Sequence, residues 1–402
     1  MKENRPTRGN RDRKAHLSAD AERLLTISLG LANSGSRVED RFWDAELSGK
    51  LQKLLDSGHT QALYDALDRL HQTDLEAYGA LVEAVEENAE ALVIELDGQR
   101  WQVLLVAAPV VAWTRFNIPA GPIESELCDS LAAIWQEHVL MSGVKFSLRP
   151  CLYSVDQLPR DYAELRRLTL SLGSAALGVA DPGNKPGKLP ESALMLADAR
   201  FLVGAAVAPV GAPLFRWQAT DLRRQGGRIK ALERWVESAR PIVEQMMPGC
   251  GFECLLPDAY HLNMRESDRR VRPFGVLAAV HFLTHALKVE PAKIHATIAA
   301  FGNERVDEYR IGLAVDGAGE DIAHGIVWPL LGPETDEDDP SPLARIRQRL
   351  EESGVTKIAV WPSLTEPEFC EDCGAPLYPN TRSELIHAEL PSDIAPESVH
   401  FH

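Results

Sequence analysis

The chain has 402 residues, 45% of them apolar and 25% charged, the balance of a globular protein long enough for two to four domains of roughly 100 to 200 residues. A net charge of −17 argues against a general phosphate-binding surface, because nucleic-acid affinity rests chiefly on Lys and Arg neutralising phosphates. Six cysteines are too few for a disulfide-stapled secreted domain and suit a reducing compartment.

The first 14 residues, "MKENRPTRGNRDRK", carry six basic and two acidic side chains, and residues 1–17 read as a disordered basic arm that can touch an anionic partner. "LLTISLGLA", residues 24–32, is too short and too close to Asp20 and Glu22 for a secretory signal. It reads instead as the buried face of a helix with Ser18 as N-cap. No window approaches the roughly 20 apolar residues that span a bilayer, and the expected location is the cytoplasm. Apolar residues at three- and four-residue spacing then predict consecutive helices through residue 90, with residues 18–73 as a helical segment.

At residue 91 the period changes to two. "ALVIELDGQRWQVLLVAAP" (91–109) predicts two strands turning at Asp97-Gly98, a strong hairpin signal. "ALMLADARFLVGAAVAP" (193–209) echoes it, and "KIHATIAAFGNERVDEYRIGLAV" (293–315) is a weaker third copy. A tryptophan, an amphipathic helix and a glycine opening a strand follow each copy, with Gly143, Gly249 and Gly354 at near-equal spacing. The expected fold is α+β: the N-terminal helical segment, three αββαβ repeats (74–160, 161–270 with a linker at 179–192, and 271–366), and a small C-terminal zinc-knuckle hairpin at 367–402.

That hairpin holds the strongest chemical motif. In "EFCEDCGAPLYP", Cys370 and Cys373 are spaced C-x-x-C and followed by Gly374, so that both thiolates can converge on one ion. Redox C-x-x-C pairs favour a helix start, whereas Pro376 and Pro379 follow here. A turn near Asn380-Thr381 brings His387 opposite roughly Gly374, which makes it the third candidate ligand; "VHFH" offers His400 as a fourth, with His402 beside it. The expected cofactor is zinc, the alternative being two reduced cysteines in a turn. Cys250 and Cys254 are poor partners, since four residues of strand separate their Cα atoms by about 13 Å.

Other motifs carry less. His281 and His285 have metal spacing on a helix, but Phe282 stands where zinc proteases need Glu, and the apolar surroundings predict structural core histidines. "GNKPGK" and "DGAGED" lack the phosphate-loop and dinucleotide patterns and read as loops. "PDAYHLNMRESDRR" (257–270) gathers Asp258, His261, Asn263, Arg265, Glu266 and Asp268, groups able to perform acid/base work but also to form a solvated loop and a capped helix.

"FCEDCGAPLYP", the "IHAELP" after it and the layout of some 400 residues resemble an uncharacterised bacterial (proteobacterial) family, a domain of unknown function with a C-terminal CxxCG motif. The resemblance implies a bacterial cytoplasmic protein and no particular activity. The leading expectation is a non-catalytic binding or regulatory scaffold with a structural zinc site, its partner a protein or small ligand. Alternatives are an enzyme worked from residues 258–268 and a nucleic-acid-associated adaptor using the basic arm.

Overall fold

The computed structural model describes residues 17–390 apart from Arg115, 180–188, 193–194, 219–225, 316–320, Pro333 and 336–337. The basic arm, "GNKPGK", most of "DGAGED" and the terminal His400 and His402 lie outside the described residues. The chain divides into two compact units, Met1–Leu92 with Pro159–Leu170, and Val93–Leu158 with Ser171–His402.

The first unit is helical: α1 (Ala19–Ala32), α2 (Arg37–Ser57), α3 (Gln61–Thr73), α4 (Leu75–Glu90) and the first turns of α6, described below. Ser18 caps α1 by accepting from Ala21 N–H at 3.2 Å, and Asp74 caps α4 through Ala77 N–H at 2.9 Å, as their side-chain oxygens favour. Leu24, Leu51, Leu63 and Leu81, one from each helix, are fully buried. Asp161 joins the later segment to these helices, accepting from Thr60 Oγ1 at 2.8 Å and Tyr64 Oη at 3.1 Å while capping α6 through Ala163 N–H.

In the second unit, β1 (Ala91–Leu96) and β2 (Gln99–Trp113) form the expected hairpin. Asp97 and Gly98 have φ of 53° and 74°, the two positive angles of a type I′ turn, whose twist matches that of the strands. There follow β3 (Gly121–Pro122), α5 (Ser125–Ile134) continuing into a π turn (Trp135–Val139), β4 (Lys145–Tyr153), α6 (Tyr162–Ala176), β5 (Ala197–Pro209), α7 (Gly227–Met246), β6 (Gly251–Cys254) and β7 (Asp258–Ala259). The strands make one sheet of order β1-β2-β5-β4-β3, with β6 and β7 pairing β2. Val106, Ala108, Val110 and Ala112 of β2 meet Trp135 and Trp235 on one face, and the alternate residues Leu105, Ala107 and Val111 are equally buried, the pattern of a strand covered on both faces.

The chain is α+β with several sheets, but its element order departs from three equal αββαβ units. The second expected repeat, 161–270, has one strand where a hairpin is expected, because Phe201–Ala208 is a continuous buried run inserted between β2 and β4 and contains no turn pair. Its Gly204 is not a turn residue: a Cβ there would lie 2.7 Å from the Phe146 ring and from the Ser147 carbonyl oxygen. Gly204→Ala is expected to cost about 1–3 kcal/mol through overpacking, read as a lower urea midpoint at unchanged slope. The glycines that open β4 and β6, Gly143 and Gly249, both have positive φ, as does Gly354 further on, the residue that ends a helix in left-handed conformation. The strands after the first two pair differently, β4 with β5 and β6 with β2, so equal spacing does not translate into equivalent sheets.

Helix α8 (Tyr260–Leu287) packs its first half on β2 and β5, and its second half enters another core. That core covers a four-stranded sheet of β8 (Ile294–Phe301), β9 (Glu308–Val315), β10 (His324–Pro329) and β11 (Lys357–Val360), in the order β10-β9-β8-β11. Helix α9 (Pro342–Glu352) provides the crossover that lets β11 lie parallel to β8. Ile298, Ile311 and Trp328 face Val280, Leu283 and Ile346. Alternation therefore turns Thr297, Arg310, Gly312 and Gly325 toward the opposite face, where the C-terminal ribbon lies.

Among the described residues no helix is long and apolar enough to cross a membrane.

Candidate metal centre

The ribbon consists of two tight turns. The first is the cysteine turn: Leu377 N–H donates to the Glu368 carbonyl at 3.1 Å, Cys370 N–H to Ala375 at 2.8 Å, and Gly374 N–H to Cys370 at 2.9 Å. Gly374 has φ 72°, which is why glycine follows the second cysteine. The second turn joins β12 (Tyr378–Pro379) to β13 (Leu385–Ile386). Asn380, almost fully buried, closes it by accepting from Arg382 N–H at 2.9 Å and Glu384 N–H at 3.0 Å.

This Asn380 loop centres the hairpin on Arg382, not at Asn380-Thr381. Tyr378 pairs Ile386, and the register continued by one residue sets His387 opposite Leu377 instead of Gly374. The imidazole nevertheless reaches the cysteines, because the cysteine turn folds back beside Leu377. Nε2 of His387 lies 3.2 Å from Cys373 Sγ, and the donor atoms of Cys370, Cys373 and His387 all lie within 4.8 Å of one another. Nδ1 of His387 is 3.4 Å from Glu389 Oε1 without a hydrogen bond between them. The Cys370 thiol is drawn below its ordinary value by backbone N–H groups of Cys373 and Asp372 and by the Cys373 side chain, which favours the thiolate a metal needs. Two thiolates and an imidazole make a donor set suited to zinc.

The sequence gives no notice of the seat on which this ribbon rests. Gly325 and Gly312 are cross-strand partners on β10 and β9. A Cβ on Gly325 would lie 2.2 Å from the Tyr378 ring, and one on Gly312 would lie 2.3 Å from the Pro379 carbonyl oxygen. The bare backbone pair is thus the floor for the ribbon tip, and Trp361 Nε1 fixes that tip by donating to the Asn380 carbonyl at 3.0 Å. Burial pushes the Tyr378 phenol up to about 12. Nearer the cysteines, fully buried Arg310 donates Nη1 to the Glu368 carbonyl at 2.6 Å and the Leu377 carbonyl at 2.9 Å. Its guanidinium lies 4.6 Å from the Phe301 ring centre and 4.9 Å from that of Phe369, and Nε donates to Glu308 at 2.6 Å. The only signal of this role in sequence is an arginine inside the apolar strand "EYRIGLAV", a residue type seldom fully buried unless paired.

The remaining candidates are dispersed. Cys254 is buried and its thiol is pushed up to about 12 by burial; the thiol of half-buried Cys250 is also raised by burial, against hydrogen bonding to Thr114. Neither belongs to the Cys370 group, which is the one cluster of three metal-ligating side chains among the described residues. His281 and His285 are not core residues: α8 buries Ala279, Val280 and Leu283 and leaves both imidazoles exposed.

The polar groups of 258–268 spread around α8 and the strand before it. Asp258 pairs with Arg228 at 2.5 Å, Asn263 donates to the Ala107 and Leu256 carbonyls at 2.6 and 2.8 Å, and Glu266 pairs with Arg270. Burial, reinforced by Arg265, lowers His261 to about 4.

A family model described as "Protein of unknown function (DUF2863)" matches residues 9–401. The chain belongs to this family. The family match bears out the resemblance to a domain of unknown function of about 400 residues. No curated protein and no solved structure matches the chain.

Proposed function

We infer that this DUF2863 protein is a non-catalytic binding or regulatory scaffold whose C-terminal ribbon is fastened by a structural zinc ion. The observation that carries the reading is the convergence of Cys370, Cys373 and His387 within 4.8 Å at the base of a ribbon whose tip is seated on Gly312 and Gly325. His400 supplies the fourth ligand. Four protein ligands make a closed site that contributes folding energy, whereas an open position would serve catalysis. The engagement of Asp258 and Asn263 in holding strands and helix together supports a scaffold over an enzyme. The enzyme reading has one observation in its favour: burial, with Asp198 adding to it against Arg272, raises Asp268 to about 6, near a useful acid/base range.

Metal analysis of the purified chain tests the fastener. The expected result is close to one zinc per chain in the wild type, with affinity reduced at least tenfold in Cys370→Ser and His387→Ala. Zinc that survives both substitutions would overturn the ligand assignment, and a wild type that takes up none would overturn the site.

A further inference from the structure

The chain's six cysteines occupy two different environments. Cys128, Cys151 and Cys254 are buried and Cys250 is half-buried, and burial raises all four thiols, Cys151 to about 11. A thiol in such surroundings is a poor nucleophile. Cys373 is exposed and Cys370 half-exposed, in one tight turn, with their sulfurs within 4.8 Å of each other. Oxidants that attack thiolates select such accessible pairs, in which one sulfur resolves the other.

We propose that Cys370 and Cys373 are a peroxide-sensitive modification site, at which a hydroperoxide converts the metal-holding dithiolate into a disulfide and releases the ribbon from its seat. This rests on the zinc-fastener reading above. In the first step one thiolate attacks a peroxide oxygen, the O–O bond breaks, and a sulfenic acid and hydroxide form. In the second step the other thiolate attacks the sulfenic sulfur, the S–S bond forms and a second hydroxide leaves. Two sulfurs have supplied two electrons, the peroxide has been reduced, and two protons from solvent convert both hydroxides to water. A disulfide no longer offers thiolate ligands, so the ion departs and His387 is freed.

The seat makes the event reach beyond the two sulfurs. Phe369, next to Cys370, lies against the Arg310 guanidinium, and Arg310 holds the carbonyls on both arms of the cysteine turn. Phe369 is itself 55% exposed, so this arm of the ribbon has little burial to hold it once the turn is released. Displacement that extends from this arm to Tyr378 and Pro379 uncovers the Gly312 and Gly325 backbone beneath them. Reduction by a dithiol and return of zinc reverse the change.

The experiment uses the full chain. Zinc is first counted per chain; one equivalent or a small excess of hydrogen peroxide is then added. Released zinc is read with a chromophoric chelator, residual thiols by titration, and the oxidised pair by peptide mass spectrometry, with limited proteolysis around residues 366–390 as the conformational readout. Expected are the loss of two thiols and one zinc together, a Cys370–Cys373 disulfide, faster cleavage in the ribbon, and recovery with dithiothreitol plus zinc. Cys373→Ser, which has no resolving sulfur, is expected to stop at a sulfenic acid on Cys370 that dimedone traps. A wild type that holds zinc but keeps both thiols and the ion under peroxide would sink this inference alone. A chain that binds no zinc at all overturns the fastener and the inference with it.

Discussion

Gly325→Ala is expected to loosen the C-terminal ribbon and weaken the zinc binding proposed for it by about one to two orders of magnitude. The added methyl would lie 2.2 Å from the Tyr378 ring, a ring that is almost fully buried and cannot turn aside without leaving its seat. Overpacking of this kind costs about 1–3 kcal/mol. Because the ligands are brought together by the same folded ribbon, that cost is subtracted from metal affinity at about tenfold per 1.4 kcal/mol. Zinc competition with a chelator of known affinity measures it directly. Gly275→Ala is the control: the residue lies inside α8 with open space where the methyl would go, and the change is expected to be neutral or to stabilise by up to about 1 kcal/mol. Equal zinc affinities in both variants would show that the glycine pair is not the ribbon's floor.

Local chemistry was legible in the sequence where one residue type satisfies one backbone need. The Asp97-Gly98 turn, the Ser18 cap and the Cys370-Cys373-Gly374 knuckle each depend on neighbours in the chain, and each forms as read. Pairing between strands is not local. The apolar run at 201–208 looks like part of a hairpin when set beside residues 91–109, yet it becomes a single central strand because β2 and β4 both have edges to offer it. The same limit applies to the site. His387 could be selected because it follows the cysteines by one hairpin, although the buried Asn380 loop moved the register. Arg310, Gly312 and Gly325 could not be selected, since they serve the ribbon across some 60 residues of intervening chain. His281 and His285 failed in the opposite direction: apolar neighbours in sequence suggested burial, but at helical spacing they share the outward face.

Arg272→Ala is expected to destabilise the second unit by about 3–5 kcal/mol, the cost of leaving a buried charge without its partner. Arg272 and Glu334 have side chains only 4% and 9% exposed. The guanidinium donates to both carboxylate oxygens, at 2.8 and 2.9 Å, and to the Pro329 carbonyl at 2.5 Å, with its carbon 5.1 Å from the Trp328 ring centre. Glu334 also accepts from Leu331 N–H at 2.9 Å and pairs with Arg345 of α9 at 3.4 Å, so one carboxylate ties α8, the chain after β10 and α9 together. Burial alone would raise its pKa, but these donors and charges hold it down to about 2, below the ordinary 4.5. A carboxyl depressed in the folded state gives stability that is present in full above the unfolded value. As pH falls from about 4.5 toward 2 the unfolded chain takes up a proton that the folded chain refuses, and the contribution drains away. Glu334→Gln, which keeps the shape without the charge, is therefore expected to be clearly less stable than wild type at about pH 7 and to approach it at about pH 3. Urea midpoints across that range give the difference, with the other carboxylates cancelling between the two proteins. A constant gap at all pH values would mean that Glu334 acts through packing and not through its charge.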